Sequence, residues 1–175
     1  LGSNATGFTG VKTVDVWHLD GNLTGAHSPI SYEAYARTTS AKGGANLGTG
    51  MTLNGSSTNP GIFTFPSTGI WRVESGFTFY LDDSSRYIFT EIKVSTTGTG
   101  GTFSPLSLCR AFISRTSSGT TQTSTYNTIV LDVTTSGTSG TAIQFDISLA
   151  NTAVTTAGDS SGLYSWMMFT RFGDT

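Results

Sequence analysis

The chain has 175 residues, a net charge of −2 and a pI near 5.5. It is long enough for one domain with a sizeable core, and its charge argues against a nucleic-acid or acidic-membrane partner. Charged residues make up only 11%, Ser and Thr about a third, and 22 glycines supply turn positions, a composition of strands and loops rather than of helices. No apolar run is long enough to span a membrane as a helix. The single cysteine, Cys109, excludes an internal disulfide framework.

In chain order, residues 1–12 read as an N-terminal arm and 13–175 as the folded domain. The opening Leu1-Gly2-Ser3-Asn4 is not a signal peptide, and the missing initiator Met reads as trimming or as part of a longer chain. Thr13–Leu19 opens the fold, and Ile30–Ala36 follows a polar loop that holds His27 and Pro29. A glycine-rich stretch, Lys42–Gly50, feeds Met51–Leu53 and Gly61–Phe65. Pro66-Ser67-Thr68-Gly69 lacks the Asn-Gly or Asp-Gly of a two-residue hairpin and reads as a corner between strands.

Past that corner, Trp71, Val73, Phe77, Phe79 and Leu81 alternate with Arg72, Glu74, Thr78 and Tyr80, the period of a half-buried strand. Arg86–Thr96, Phe103–Arg115, Gln122–Thr134, Thr141–Ala150 and Gly162–Phe172 complete a set of about ten strands. The Thr/Ser/Gly tracts between the later strands, such as Thr97–Thr102 and Ser117–Thr121, are loops at the ends of a sandwich.

The facing of these strands bears on function. Ile143, Phe145, Ile147 and Leu149 oppose Gln144, Asp146 and Ser148, a strand wet on one side. Three others are apolar on both sides. Ile88, Ile92 and Val94 oppose Tyr87 and Phe89; Ile129, Leu131 and Val133 oppose Tyr126 and Val130; Leu163, Met167 and Phe169 oppose Tyr164, Trp166 and Met168. Unless a bulge shifts the facing, the second side needs a ligand, another domain or another copy of the chain, and with no second domain self-association follows. The expected interface is Tyr87, Phe89, Tyr126, Val130, Tyr164, Trp166 and Met168.

Motifs for chemistry are missing. His18 reads as a hydrogen-bonded wall residue, His27 as loop surface and Cys109 as a buried thiol. Asp82 and Asp83 are adjacent acids in a turn without a completing shell, so no metal is expected. The eleven acids are spread too thinly to nominate a catalytic pair, and no cofactor motif occurs. Triplets for N-glycosylation at Asn4, Asn22 and Asn54 are what seven asparagines in so hydroxyl-rich a chain give by chance. Trp17, Trp71 and Trp166 fall within strands, where packing is a commoner use than sugar binding.

Phe63-Thr64-Phe65-Pro66, Gly69-Ile70-Trp71 and the apolar final strand Tyr164–Phe169 resemble the jelly roll of the tumour-necrosis-factor and complement-type globular heads. That resemblance implies an all-β, single jelly-roll sandwich and a homotrimer whose inner sheets face the threefold axis. Val14–Leu19, Leu47–Met51 and the terminal Phe169–Thr175 resemble virion structural proteins of tailed phages from aquatic bacteria. The implied role is a non-enzymatic decoration or cement protein on the outer surface of the particle. Its expected partners are further copies of itself and the major capsid or another virion protein, contacted through the arm at Leu1, Asn4 and Phe8. The alternative is the receptor-binding head of a tail or head fibre.

Overall fold

The computed structural model describes residues 10–39, 46–56, 60–115 and 119–174. Among them, twelve strands form two antiparallel sheets packed face to face. One sheet runs β4 (Thr52–Asn54), β5 (Ile62–Thr64), β10 (Ala142–Leu149), β7 (Ser85–Ser95), β8 (Ser104–Ile113). The other, seven-stranded, runs β2 (Leu23–Thr24), β11 (Thr155–Thr156), β6 (Gly69–Leu81), β12 (Trp166–Gly173), β1 (Thr13–Leu19), β3 (Tyr35–Arg37), with β9 (Thr121–Val133) on the opposite edge of β6.

The Pro66–Gly69 corner carries the chain from β5 in one sheet to β6 in the other, as its turn chemistry demands. Gly69 has φ +130°, and a Cβ there would lie 2.2 Å from the Gly173 carbonyl, so only glycine fits. Trp71 closes the corner by donating its indole N–H to the Ser67 carbonyl at 3.1 Å.

Between the sheets lies an aromatic core. Phe63 is fully buried, with Trp17, Tyr35 and Phe169 at centroid distances of 5.2, 5.0 and 5.1 Å. Edge-to-face and tilted contacts of this kind add to the area term that burial supplies. On one side of the sandwich the edge strands β8 and β9 lie next to each other. Asn127 bridges them there, accepting from Thr90 Oγ1 at 2.7 Å and donating to the Thr90 carbonyl and Ser107 Oγ at 3.1 and 3.2 Å. A buried amide with these partners satisfied ties the two sheets together.

Five expectations need correction. Ile30–Ala36 is not a strand: Tyr32–Ala34 form a 3-10 turn, and only Tyr35–Arg37 pair with β1. Ile30, Ala34 and Tyr35 are the residues this segment buries, a spacing a strand cannot give. The last strand begins at Trp166, not Gly162, because Thr78 holds the preceding Tyr164 carbonyl at 2.9 Å and Ser165 Oγ at 3.2 Å.

The supposed wet face of β10 is covered: Gln144 and Asp146 are buried. His27 pairs with the β10 edge through both backbone bonds to Ile147, at 2.8 and 2.7 Å, and is half-buried rather than loop surface. Beside it, Ser28 donates to Asp146, which also takes Lys93. Finally, Cys109 is half-buried on β8, opposite Thr90, not enclosed.

Candidate functional site

The outer face of the seven-stranded sheet is built from three cross-strand rows. Register places Tyr126, Gly76, Trp166 and His18 side by side on β9, β6, β12 and β1. The next row is Thr128, Glu74, Met168 and Val16, and the one after it Val130, Arg72, Thr170 and Val14. Because side chains alternate, these positions all point away from the core that holds Trp71, Val73 and Phe169.

Gly76 makes the first row possible. A Cβ there would sit 2.8 Å from the Trp166 indole nitrogen, so the missing side chain lets the indole lie across β6. Tyr126 then approaches the indole with ring centroids 6.2 Å apart. Its hydroxyl donates to Glu74 Oε1, and Arg72 Nε stands 2.8 Å from Glu74 Oε2. Arg72 also lies over the Phe172 ring at 5.5 Å. Glu74 is thus buried, hydrogen-bonded at one oxygen by Tyr126 and ion-paired at the other with Arg72. The hydrogen bond to this carboxylate, then burial and its charge, raise the Tyr126 hydroxyl above the usual tyrosine range.

Around this neutralised centre the surface is apolar and open. Val130 is 63% exposed, Tyr126 51% and Tyr164 55%, while Trp166 and Met168 are half-buried. Tyr164, just before β12, lines a shallow depression of about 230 Å3 with Tyr80 and Gln122. At the far end of the first row His18 is fully buried, with Nδ1 3.2 Å from Thr38 Oγ1, the wall residue the sequence suggests.

A second polar cluster anchors this sheet's edge. Asp15 is fully buried and accepts from the Met51 amide at 2.7 Å and from Trp17 Nε1 at 2.9 Å, and it pairs with Arg37 Nε at 3.1 Å. It fastens the loop before β4 onto β1. With Glu74 and Asp15 each engaged by a guanidinium and a further donor, the arrangement offers a packing surface.

Of the expected interface, Tyr126, Val130, Tyr164, Trp166 and Met168 come together on this face. Tyr87 and Phe89 do not join them. Ile88 and Ile92 of β7 point into the core, which turns Tyr87 and Phe89 outward on the five-stranded sheet, at the opposite surface of the sandwich. The expected capsid contacts Leu1, Asn4 and Phe8 lie outside the described residues. Sequence reasoning missed Gly76 and the Glu74–Arg72 pair. The signal was the Ser75-Gly76 interruption of an otherwise bulky strand, which marks close approach by a neighbour.

No protein-family model matches the chain, and no curated protein matches its sequence. Solved structures do. An Eiger TNF structure from S. frugiperda aligns with a TM-score of 0.62 at 14% identity, covering 95% of each chain. Murine APRIL aligns with a TM-score of 0.58 at 15% identity, over 91% of this chain and 98% of that one. These likenesses show the fold: an all-β, single jelly-roll sandwich of the tumour-necrosis-factor type.

Proposed function

We propose that this is a non-enzymatic virion structural protein of a tailed phage, a homotrimer that decorates and cements the outside of the capsid. The observation that carries the self-association is the apolar face just described. It runs over β9, β6 and β12, and its one buried charge is already neutralised within the chain. A second copy can cover such a surface without stranding an ion. The jelly-roll likeness supports a threefold arrangement, since the resembling families assemble that way. The virion setting is supported by the sequence resemblance of Val14–Leu19, Leu47–Met51 and Phe169–Thr175. A cement protein that binds only the assembled shell stabilises that state by its own binding free energy.

Two measurements test this. Native mass spectrometry of the purified protein should give three copies per particle of protein. Quantitative mass spectrometry of purified virions should give a copy number comparable with that of the major capsid protein. A small fraction of it would replace cement with a fibre head, with loops such as Thr97–Thr102 touching the host. Absence from particles overturns the virion reading, and a monomer at all concentrations overturns the self-association.

A further inference from the structure

The outer face of the five-stranded sheet, on the far side from the surface above, carries a different chemistry. On β8, Ser107, Cys109 and Ala111 are half-buried, so Leu106, Leu108, Arg110 and Phe112 alternate outward. Leu106 is 58% exposed, Leu108 45% and Phe112 68%. Outward positions of β9, by contrast, hold Gln122, Ser124 and Thr128 as well as Tyr126 and Val130.

The arginines single out this face. Four of the chain's six arginines are paired with a carboxylate: Arg37 with Asp15, Arg72 with Glu74, Arg115 with Asp82 and Arg171 with Asp174. Among the described residues, the two arginines without a carboxylate partner are Arg86 and Arg110, and both lie here. The Arg110 guanidinium rests over the Phe89 ring at 4.7 Å, and Phe89 stacks on Tyr87 at 4.6 Å with planes 24° apart. A guanidinium held over a ring keeps its in-plane N–H fork for a carboxylate. Arg86 and Phe112 share a shallow depression of about 310 Å3. The acid nearest along β7, Glu91, is engaged by Lys93 at 3.4 Å.

β8 pairs only with β7, and β9 lies along its other side, so this face offers a partner its outward side chains rather than a strand edge. Exposed leucines and a phenylalanine anchor apolar side chains rather than sugar rings, and the arginines take carboxylates.

We infer that β8 and its outward platform dock an extended acidic polypeptide segment bearing apolar side chains. The segment lies across the outward side chains of β7 and β8, its carboxylates meet Arg86 and Arg110, and its apolar residues cover Leu108 and Phe112. This holds whether or not the chain belongs to a virion.

The test is fluorescence anisotropy of the whole protein with a short fluorescein-labelled peptide of alternating leucine and glutamate. Peptides of alternating leucine and lysine and of alternating serine and glutamate, and an oligogalacturonate, serve as comparisons. The leucine–glutamate peptide should bind best. Arg86→Glu combined with Arg110→Glu should weaken it roughly tenfold or more, as should Phe112→Ser. These positions are exposed, and if the charge reversal unfolds the protein, Arg86→Gln with Arg110→Gln replaces it. No binding, equal binding of the lysine peptide, preference for oligogalacturonate, or unchanged affinity in both charge variants overturns the inference. So does a change in native mass with Phe112→Ser, which would assign this face to contacts between copies.

Discussion

Val130→Asp separates a surface valine from an interface valine. Val130 lies on β9, 63% exposed, in the row that leads through Arg72 and Thr170 to Val14. In a monomer the substitution removes little packing, and exposed changes of this kind cost within about 0.5 kcal/mol. In a self-associated protein the arithmetic differs. Full burial of a valine is worth about 1.5–3 kcal/mol, so covering the 63% left exposed contributes about 1–2 kcal/mol per copy. Over a trimer that is roughly 3–6 kcal/mol, or about two to four decades in the assembly constant, before any cost of desolvating three carboxylates. Sedimentation velocity at micromolar protein should show wild type assembled and Val130→Asp dissociated, with the melting of the isolated subunit nearly unchanged. An assembled Val130→Asp protein with wild-type mass and dissociation would refute the assignment of this face.

Gly76→Ala should act on the same face from beneath. Its Cβ would meet the Trp166 ring at 2.8–3.0 Å, so the indole must shift, at about 1–3 kcal/mol in thermal stability together with weakened assembly in sedimentation. Asp15→Ala should leave the buried Met51 amide and Trp17 indole N–H without an acceptor, a loss of about 2–4 kcal/mol read by urea unfolding. Alkaline pH should unfold the protein. Tyr35 is raised well above the usual tyrosine range by burial and then by the charge of Asp146; Tyr126 is raised by its bond to Glu74; for Lys93, burial lowers it but the hydrogen bond and charge of Asp146, with Glu91, outweigh that. For each group a raised value in the folded state means stability that is complete below about pH 10 and lost as pH rises through the folded value. Melting temperature should therefore fall above pH 10, with Tyr35 phenolate absorbance appearing only as the fold is lost; early, independent ionisation of every tyrosine would contradict this.

The long strands were legible because their apolar residues keep a period of two. Gly69–Leu81 is found as read, and β7 and β9 lie within a residue of expectation. What was illegible is set by partners distant in sequence. Gln144 and Asp146 look like a solvent face in isolation; the return of His27 and Ser28 along β10, over a hundred residues earlier, and Lys93 from β7 meet Asp146 there. β2 and β11 have two residues each and exist because Thr155 and Thr156 meet both β6 and Leu23–Thr24. Period-two reading has the same limit for the interface. It correctly turned Tyr87, Phe89, Tyr126, Val130 and Trp166 away from the core, but it says nothing about which sheet a strand joins. Sheet membership is decided by crossovers such as the Pro66–Gly69 corner.

That limit matters for function, because the two outer faces call for different partners. On the seven-stranded sheet, Arg72 already pairs with Glu74 and Tyr126 donates to it, so the surface presents buried charge balance and open apolar area. Such a face gains by meeting another apolar face, and a copy of the same chain supplies one. On the five-stranded sheet, Arg86 and Arg110 are without carboxylate partners among the described residues, beside Phe89 and Phe112. Covering that face with an uncharged surface would bury guanidinium groups unpaired, at several kcal/mol each. An occupant must bring its own carboxylates. One face therefore suits assembly with like, the other recognition of an acidic partner, and substitutions at Val130 and Arg110 should separate the two activities in a single protein.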